Sequence, residues 1–224
     1  ALSAAGYRAI APDMRGYGRT TAPRDAAAYD RGTTVGDLVG LLDALELRKA
    51  VFCGHDFGAH LVWDMPAWAP DRVLALIQLS VPRTRRLPVK PSVRYLDCWD
   101  HPARVNGKRN GYLDVLPNPP ALPWNWLSEP DLDYYAAEFA RTGFTGGLNW
   151  YRAEDLVWAQ NEDLHDRPIE VPAAFIAGAA DPVLEMLGRD PMTAMSDLVP
   201  GLRSALIVED AGHFVQMERP DVVN

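Results

Sequence analysis

Two short runs, Ala50 to Cys53 and Val73 to Leu79, are apolar without the polar alternation of a half-solvated strand. Successive strand side chains point to opposite faces, so a run of this kind predicts a parallel strand covered by helices on both sides. Helical periodicity flanks both runs. Val35, Leu38, Val39, Leu42 and Leu45 form a 3.6-period stripe that predicts a helix from Val35 to Leu47, with Thr33 or Thr34 as its N-cap. A second helix is expected from Gly58 to Trp68. Upstream, Tyr7 to Ala11 reads as a strand, Pro12 to Asp30 as a loop, and Ala1 to Gly6 as the tail of a helix with Gly6 as its C-cap. A βαβ rhythm implies an α/β fold with a mostly parallel sheet flanked by helices.

Beyond Val81 the texture changes. Prolines at 82, 88, 91, 102, 117, 119, 120, 123 and 130 interrupt every periodic pattern, which marks an insertion. A helix from Asp131 to Arg141, acidic in its first turn and closed by Gly143, leads into Trp- and Tyr-bearing helical sequence up to about His165. The rhythm then resumes with strands at Val171 to Ala177 and Ser204 to Val208, each followed by a loop. The expected layout is a core split between residues 1–82 and 167–224, with a helical lid over residues 83–166.

Of 224 residues, 48% are hydrophobic and 23% charged, a globular balance long enough to bury a real core. The net charge of −8, with no basic cluster beyond Arg83 to Arg86, argues against a nucleic-acid or anionic-membrane partner. No apolar stretch reaches 18 residues, so no membrane span is expected. Cys53 and Cys98 are too far apart in sequence for a CxxC site, and a reducing, cytoplasmic setting is the expectation. Gly16 and Gly18 lie well past their strand with Thr at position 21, so a dinucleotide fingerprint fails, and no phosphate loop or zinc-spaced His/Cys set occurs. Neither a cofactor nor a metal is implied.

Chemistry concentrates where the first apolar run meets its helix. Gly54-His55-Asp56-Phe57-Gly58 sets two glycines around a polar residue at a strand-to-helix junction, the pattern of a nucleophile elbow. Such elbows usually carry Ser; a carboxylate instead suits attack on an sp3 carbon, giving an ester that water can cleave. The Phe57 amide at the helix N-terminus is the expected oxyanion donor. The plainer reading of Asp56 is an N-cap. Asp181, in Gly178-Ala179-Ala180-Asp181-Pro182, and His213, in Ala211-Gly212-His213-Phe214, each follow a strand. That places both at the carboxyl edge of the sheet, in the order nucleophile, acid, histidine. Taken singly, Asp-Pro could begin a turn and Gly-His could be an exposed loop. His60 is expected to pack on its helix, and His101 and His165 to lie on the surface or lid.

At this point the chain resembles the α/β-hydrolase fold epoxide hydrolases. The resemblance is carried by Gly6-Tyr7-Arg8-Ala9-Ile10-Ala11-Pro12-Asp13-Met14-Arg15-Gly16-Tyr17-Gly18, the Asp56 elbow, Phe144 to Arg152, Asp181-Pro182-Val183 and Gly212-His213-Phe214. The specific block is Asn149-Trp150-Tyr151-Arg152. The resemblance implies that Tyr151 hangs from the lid and hydrogen-bonds the epoxide oxygen, that His213 and Asp181 activate water, and that the substrates are a small apolar epoxide and water. A homodimer is left open. Without the resemblance, Tyr151 would read as an aromatic packing lid on core.

Three departures accompany it. The chain has no His-Gly pair, so the family's His-Gly-x-Pro loop, source of a second oxyanion donor, has no counterpart in these residues. The sheet is expected to be incomplete beside the Ala50 strand, and Asn224 falls where a closing helix should begin. The family's second lid tyrosine has only Tyr112 and Tyr95 as candidates. Two other readings compete. A haloalkane or haloacetate dehalogenase would share the Asp nucleophile, although Phe57 offers no side-chain donor to a halide. A non-catalytic relative would bind a small apolar ligand without turning it over.

Overall fold

The computed structural model describes residues 1–91, 120–186 and 191–224. In chain order the principal elements are α1 (Arg31–Ala44), β1 (Ala50–His55), α2 (Phe57–Trp68) and β2 (Val73–Leu79). There follow α3 (Glu129–Thr142), α4 (Thr145–Arg152), α5 (Glu154–Gln160) and β3 (Ala173–Gly178). The chain closes with α6 (Pro182–Met186), α7 (Pro191–Leu198), β4 (Leu202–Val208), α8 (Val215–Glu218) and α9 (Pro220–Val223). The four strands pair in parallel in the order β1-β2-β3-β4. Each parallel step needs a long crossover: α2 lies in the first, the helices from α3 to α5 in the second, and α6 and α7 in the third.

The helices begin where side chains can satisfy their free amides. The cap of α1 is Asp30, whose carboxylate accepts from the Thr33 amide at 2.9 Å, so the expected Thr33 or Thr34 cap is displaced into the first turn. A carboxylate reaches the third helical amide and carries the charge the dipole favours, which a threonine does not. Ser128 and Asp131 form a capping box on α3, which starts it two residues before the expected Asp131, and Gly143 closes it at φ +70°. Ala1 to Gly6 form hydrogen-bonded turns, closed by Gly6 at φ +86° with the Tyr7 amide bonded to the Leu2 carbonyl.

Two strand expectations are corrected. Tyr7 to Ala11 is exposed and, among the described residues, pairs with no strand, and a segment becomes a strand only through a partner's hydrogen bonds. The free edge of β1 is correspondingly unpaired among the described residues. Nor is the sheet covered on both faces throughout. The face carrying Leu76 and Phe175 is buried against α1 and α2, whereas Val51, Cys53 and Leu74 are exposed. On the exposed side the cover is confined to the carboxyl end, where Val215 of α8 and Val223 of α9 join Leu79, Ile176 and Val208. The main core runs from Val35 and Leu38 through Leu61, Trp63 and Met65 to Leu76 and Phe175, and takes in Trp150 and Ala153, which fastens α4 to the sheet's helices.

Candidate active site

Asp56 stands between β1 and α2 at φ +54°, ψ −121°, a conformation L-residues rarely adopt. Gly54 makes the bend possible: a Cβ there would lie 2.4 Å from the Gly58 carbonyl oxygen. Asp56 occupies the N-cap position, but its side chain caps nothing. Its Oδ2 instead lies 3.2 Å from His213 Nε2. The plain capping reading is thereby set aside, because the residue holds a strained backbone without the hydrogen bond a cap exists to make.

The other imidazole nitrogen of His213, Nδ1, sits 3.0 Å from Asp181 Oδ2 and 3.2 Å from Oδ1. Asp181, 1% exposed, is fixed by the Val183 amide, which donates to Oδ1 at 2.9 Å. Asp56, His213 and Asp181 thus form one hydrogen-bonded chain assembled from three strand ends. Burial would push the His213 pKa down, but the hydrogen bonds and negative charges of Asp181 and Asp56 raise it to about 9. Burial also works against the Asp56 carboxylate, yet the hydrogen bond from His213 and the Phe57 amide hold it below its ordinary range.

The His213 loop is pinned by residues that sequence reasoning missed. Ser80 Oγ donates to the His213 carbonyl at 2.6 Å, and His55 Nε2 lies 2.8 Å from the same oxygen. Glu218 accepts from the amides of Gly212 and Phe214, one on each side of His213, at 2.7 and 3.0 Å. Gly178 lets the loop close: a Cβ on it would meet the Ala211 and Gly212 carbonyl oxygens at 2.2 and 2.3 Å. His55 stood inside the elbow motif and could have been noticed there, while Ser80 and Glu218 have no local signature.

The Asn149-Trp150-Tyr151-Arg152 block divides its work. Asn149 donates to the carbonyls of Pro23 and Arg24, Trp150 Nε1 to that of Arg15 at 2.9 Å, and Arg152 donates to Asn149. Gly16, at φ +88°, meets Gly146 backbone to backbone and so serves this docking, whereas Gly18 at φ +52° makes room for the Asp13 side chain. Tyr151, 47% exposed, borders an open cavity, its ring edge-on to Phe57 at 4.6 Å between centroids.

Asp56, Phe57 and Tyr151 line one cavity of about 270 Å³, just under the usual span of small-molecule sites. Trp150, Trp158, Val81 and Val157 make part of its wall apolar. The remainder is polar, which was not foreseen. His60 lines the cavity rather than packing on its helix; it keeps accessible surface there, and the poor solvation of the cavity wall, reinforced by Arg31, pushes its pKa down. His165, expected on the surface or lid, is half-buried on the same wall beside Arg31, Asp64 and Arg83. An acid amid Leu61, Val62, Trp63 and Met65 could have signalled that Asp64 needs a distant partner. Tyr95, Tyr112 and His101 lie outside the described residues.

The profile of the alpha/beta hydrolase family matches residues 1–224. The chain belongs to that family. It is 38% identical to Epoxide hydrolase A of Mycobacterium tuberculosis, an alignment covering 100% of this chain and 81% of the relative. It is 37% identical to Epoxide hydrolase 2 of Siraitia grosvenorii, covering 98% and 81%. Among solved structures, Epoxide Hydrolase A from Mycobacterium thermoresistibile superposes with a TM-score of 0.82 at 39% identity, over 95% of this chain and 78% of that one. An epoxide hydrolase from Vigna radiata gives 0.83 at 33% identity, over 99% and 81%. The expected fold class, a parallel α/β-hydrolase sheet flanked by helices, therefore holds. No helix among the described residues is long and apolar enough to cross a membrane.

Proposed function

We propose that this family member is an epoxide hydrolase that opens an epoxide to a vicinal diol through an ester on Asp56. The observation that carries the reading is the shared cavity: a carboxylate held off its helix cap by His213 and a lid phenol, Tyr151, line the same pocket. One Asp56 oxygen attacks a ring carbon while the carbon–oxygen bond of the strained ring breaks. Tyr151 gives its proton to the alkoxide that forms, an effect of roughly 10²- to 10⁴-fold. Asp56 is now a neutral ester. His213, oriented by Asp181, removes a proton from water, and the resulting hydroxide adds to the ester carbonyl. The Phe57 amide receives the oxyanion, which collapses; the new acid's proton goes to the departing alkoxide to complete the diol, and the proton held by His213 returns to the Tyr151 phenolate, so carboxylate, imidazole and phenol are all restored.

Tyr112, with Tyr95 as the alternative, is the second phenol, and residues 83–166 act as a lid on a core of residues 1–82 and 167–224. The setting is cytoplasmic, the co-substrate is water, and two copies of the chain pair as a homodimer. The likeness to curated epoxide hydrolases at 35–38% identity supports this chemistry over the dehalogenase and binding-only readings.

The test is a trap. In a His213→Gln variant the first step proceeds and the second stops, so intact mass after exposure to styrene oxide rises by one substrate equivalent and peptide mapping places the adduct on Asp56. An unmodified protein overturns the proposal, and chloride release from a chloroalkane without diol formation moves the assignment to dehalogenation.

A further inference from the structure

The loop that carries His213 is met from outside by a second run of chain. Pro120 to Ser128, ahead of α3, holds Trp124 and Trp126, and local hydrogen bonds fix the turn they share. The Trp124 amide donates to the Leu127 carbonyl at 2.9 Å and the Leu127 amide to the Trp124 carbonyl at 3.3 Å. Trp124 Nε1 donates to the Pro120 carbonyl at 3.0 Å. Leu127 is 8% exposed, so the turn is anchored. From it the Trp126 ring reaches the end of the sheet, 5.7 Å from the Phe214 ring at an interplanar angle of 25°, with Trp124 behind it at 5.2 Å. Phe214 stands edge-on to the His213 imidazole, 5.2 Å away at 81°. It also lies 5.4 Å from the His55 ring, which is 4.6 Å from that of His213. These are the separations and tilts that aromatic pairs favour, and they make an unbroken series of rings from Trp124 to the imidazole. Phe214 remains 42% exposed, which leaves the rings as its main restraint.

The backbone of the His213 loop and its imidazole are held by different means. Hydrogen bonds from Ser80 and to Glu218 fix the backbone, but the ring can still turn about its side-chain torsions. The ring is oriented by Asp181 at Nδ1, by Asp56 at Nε2, and by its packing on Phe214 and His55. In the resting site the two carboxylates overdetermine that orientation. Once Asp56 is an ester its charge is gone, and Nε2 loses a restraint at the moment the imidazole must hold water in line. Aromatic packing then matters as it does not in the first step, because a small misplacement of a base costs rate steeply.

We infer that Trp126 is a positioning residue for His213. By stacking on Phe214 it keeps the imidazole directed at the Asp56 ester, so the segment ahead of α3 serves ester hydrolysis and not ester formation. The inference rests on the epoxide hydrolase reading and adds a residue that lies far from the histidine in sequence.

The experiment is single-turnover rapid quench with styrene oxide on the full chain, which resolves ester formation from ester hydrolysis. In Trp126→Leu, hydrolysis is expected to slow about tenfold or more while formation stays within about twofold, and Trp126→Phe, which restores a ring, to recover most of the loss. Because the effect runs through Phe214, adding Trp126→Leu to Phe214→Leu should cost nothing further, as coupled neighbours are not additive. A second readout needs no turnover: the His213 pKa, raised to about 9 by its carboxylates, should fall in Trp126→Leu as the imidazole drifts from them, followed by nitrogen-15 NMR. Equal slowing of both steps, no change in either, additive losses or an unmoved His213 titration overturns the positioning role and leaves epoxide hydrolysis standing. Failure of the unaltered chain and of His213→Gln to form an ester, with the titration still falling in Trp126→Leu, overturns the hydrolase reading and leaves the positioning of His213.

Discussion

In the proposed mechanism His213 begins beside a carboxylate and must finish as a base, and its titration reports whether the geometry works that way. In the free enzyme its pKa is raised to about 9 by Asp181 and Asp56 acting together against burial. Forming the ester deletes one of the two charges, and Asp56→Asn reproduces that loss in a stable protein. At the 3.2 Å separation, two unit charges in an effective dielectric of about 20 attract by roughly 5 kcal/mol. That is an upper bound, because 42% of the Asp56 side chain is exposed and water screens the pair. One opposing neighbour ordinarily moves a pKa by about 1–3 units, so the variant should bring His213 down by about 1–2, to roughly 7–8. Each unit is worth about 1.4 kcal/mol; at pH 7 the first multiplies the neutral imidazole about ninefold and the second about fivefold. Esterification therefore frees the base when water must be activated. The assay is a nitrogen-15 NMR titration of the five histidines, with His213 assigned by its loss in His213→Gln. The same shift sets a stability trend. The folded pKa lies above the unfolded value of about 6.5, so the stabilisation is complete below that pH and is lost as pH rises through 9. A wild-type His213 titrating near 6.5, or a value near 9 that Asp56→Asn leaves unmoved, would refute the reasoning.

Further substitutions separate the parts of the site. Tyr151→Phe keeps the ring packed on Phe57 but removes the proton donor, so single-turnover ester formation should slow by about 10²- to 10⁴-fold with an unchanged melting temperature. Gly178→Ala forces its Cβ within 2.3 Å of two loop carbonyls, which displaces His213 rather than Asp56. Hydrolysis of the ester should then slow about 100-fold while its formation is far less affected, as rapid-quench kinetics can resolve. Asp64→Ala strands two buried guanidiniums and should cost about 3–5 kcal/mol in urea unfolding, far more than removal of an exposed ion pair such as Arg72–Asp43.

Much of the site could be read from the chain because its signals are local. The elbow needs a small residue at Gly54 and a polar one at Asp56, both within one turn of backbone, and the acid and the histidine each sit one loop beyond a recognisable strand. Asn149, Trp150 and Arg152 drew notice as a block, but their purpose, docking α4 on the loop at Arg15 to Arg24, shows only in the hydrogen bonds. Tyr7 to Ala11 has strand composition and no partner, so propensity alone misleads there.

By itself, the amino-acid order determined a parallel α/β scaffold and the strand ends that carry Asp56, Asp181 and His213, and it set a proline-rich stretch apart from them. Residue spacing suffices for this, because strand and helix periods act over a few positions. What the tertiary structure alone decided is the cavity's character: apolar beside Asp56, with a buried network of ion pairs at its other end. That wall joins residue 31 to residues 64, 83 and 165, and buried charges find their partners through folding, at separations on which no local pattern reports.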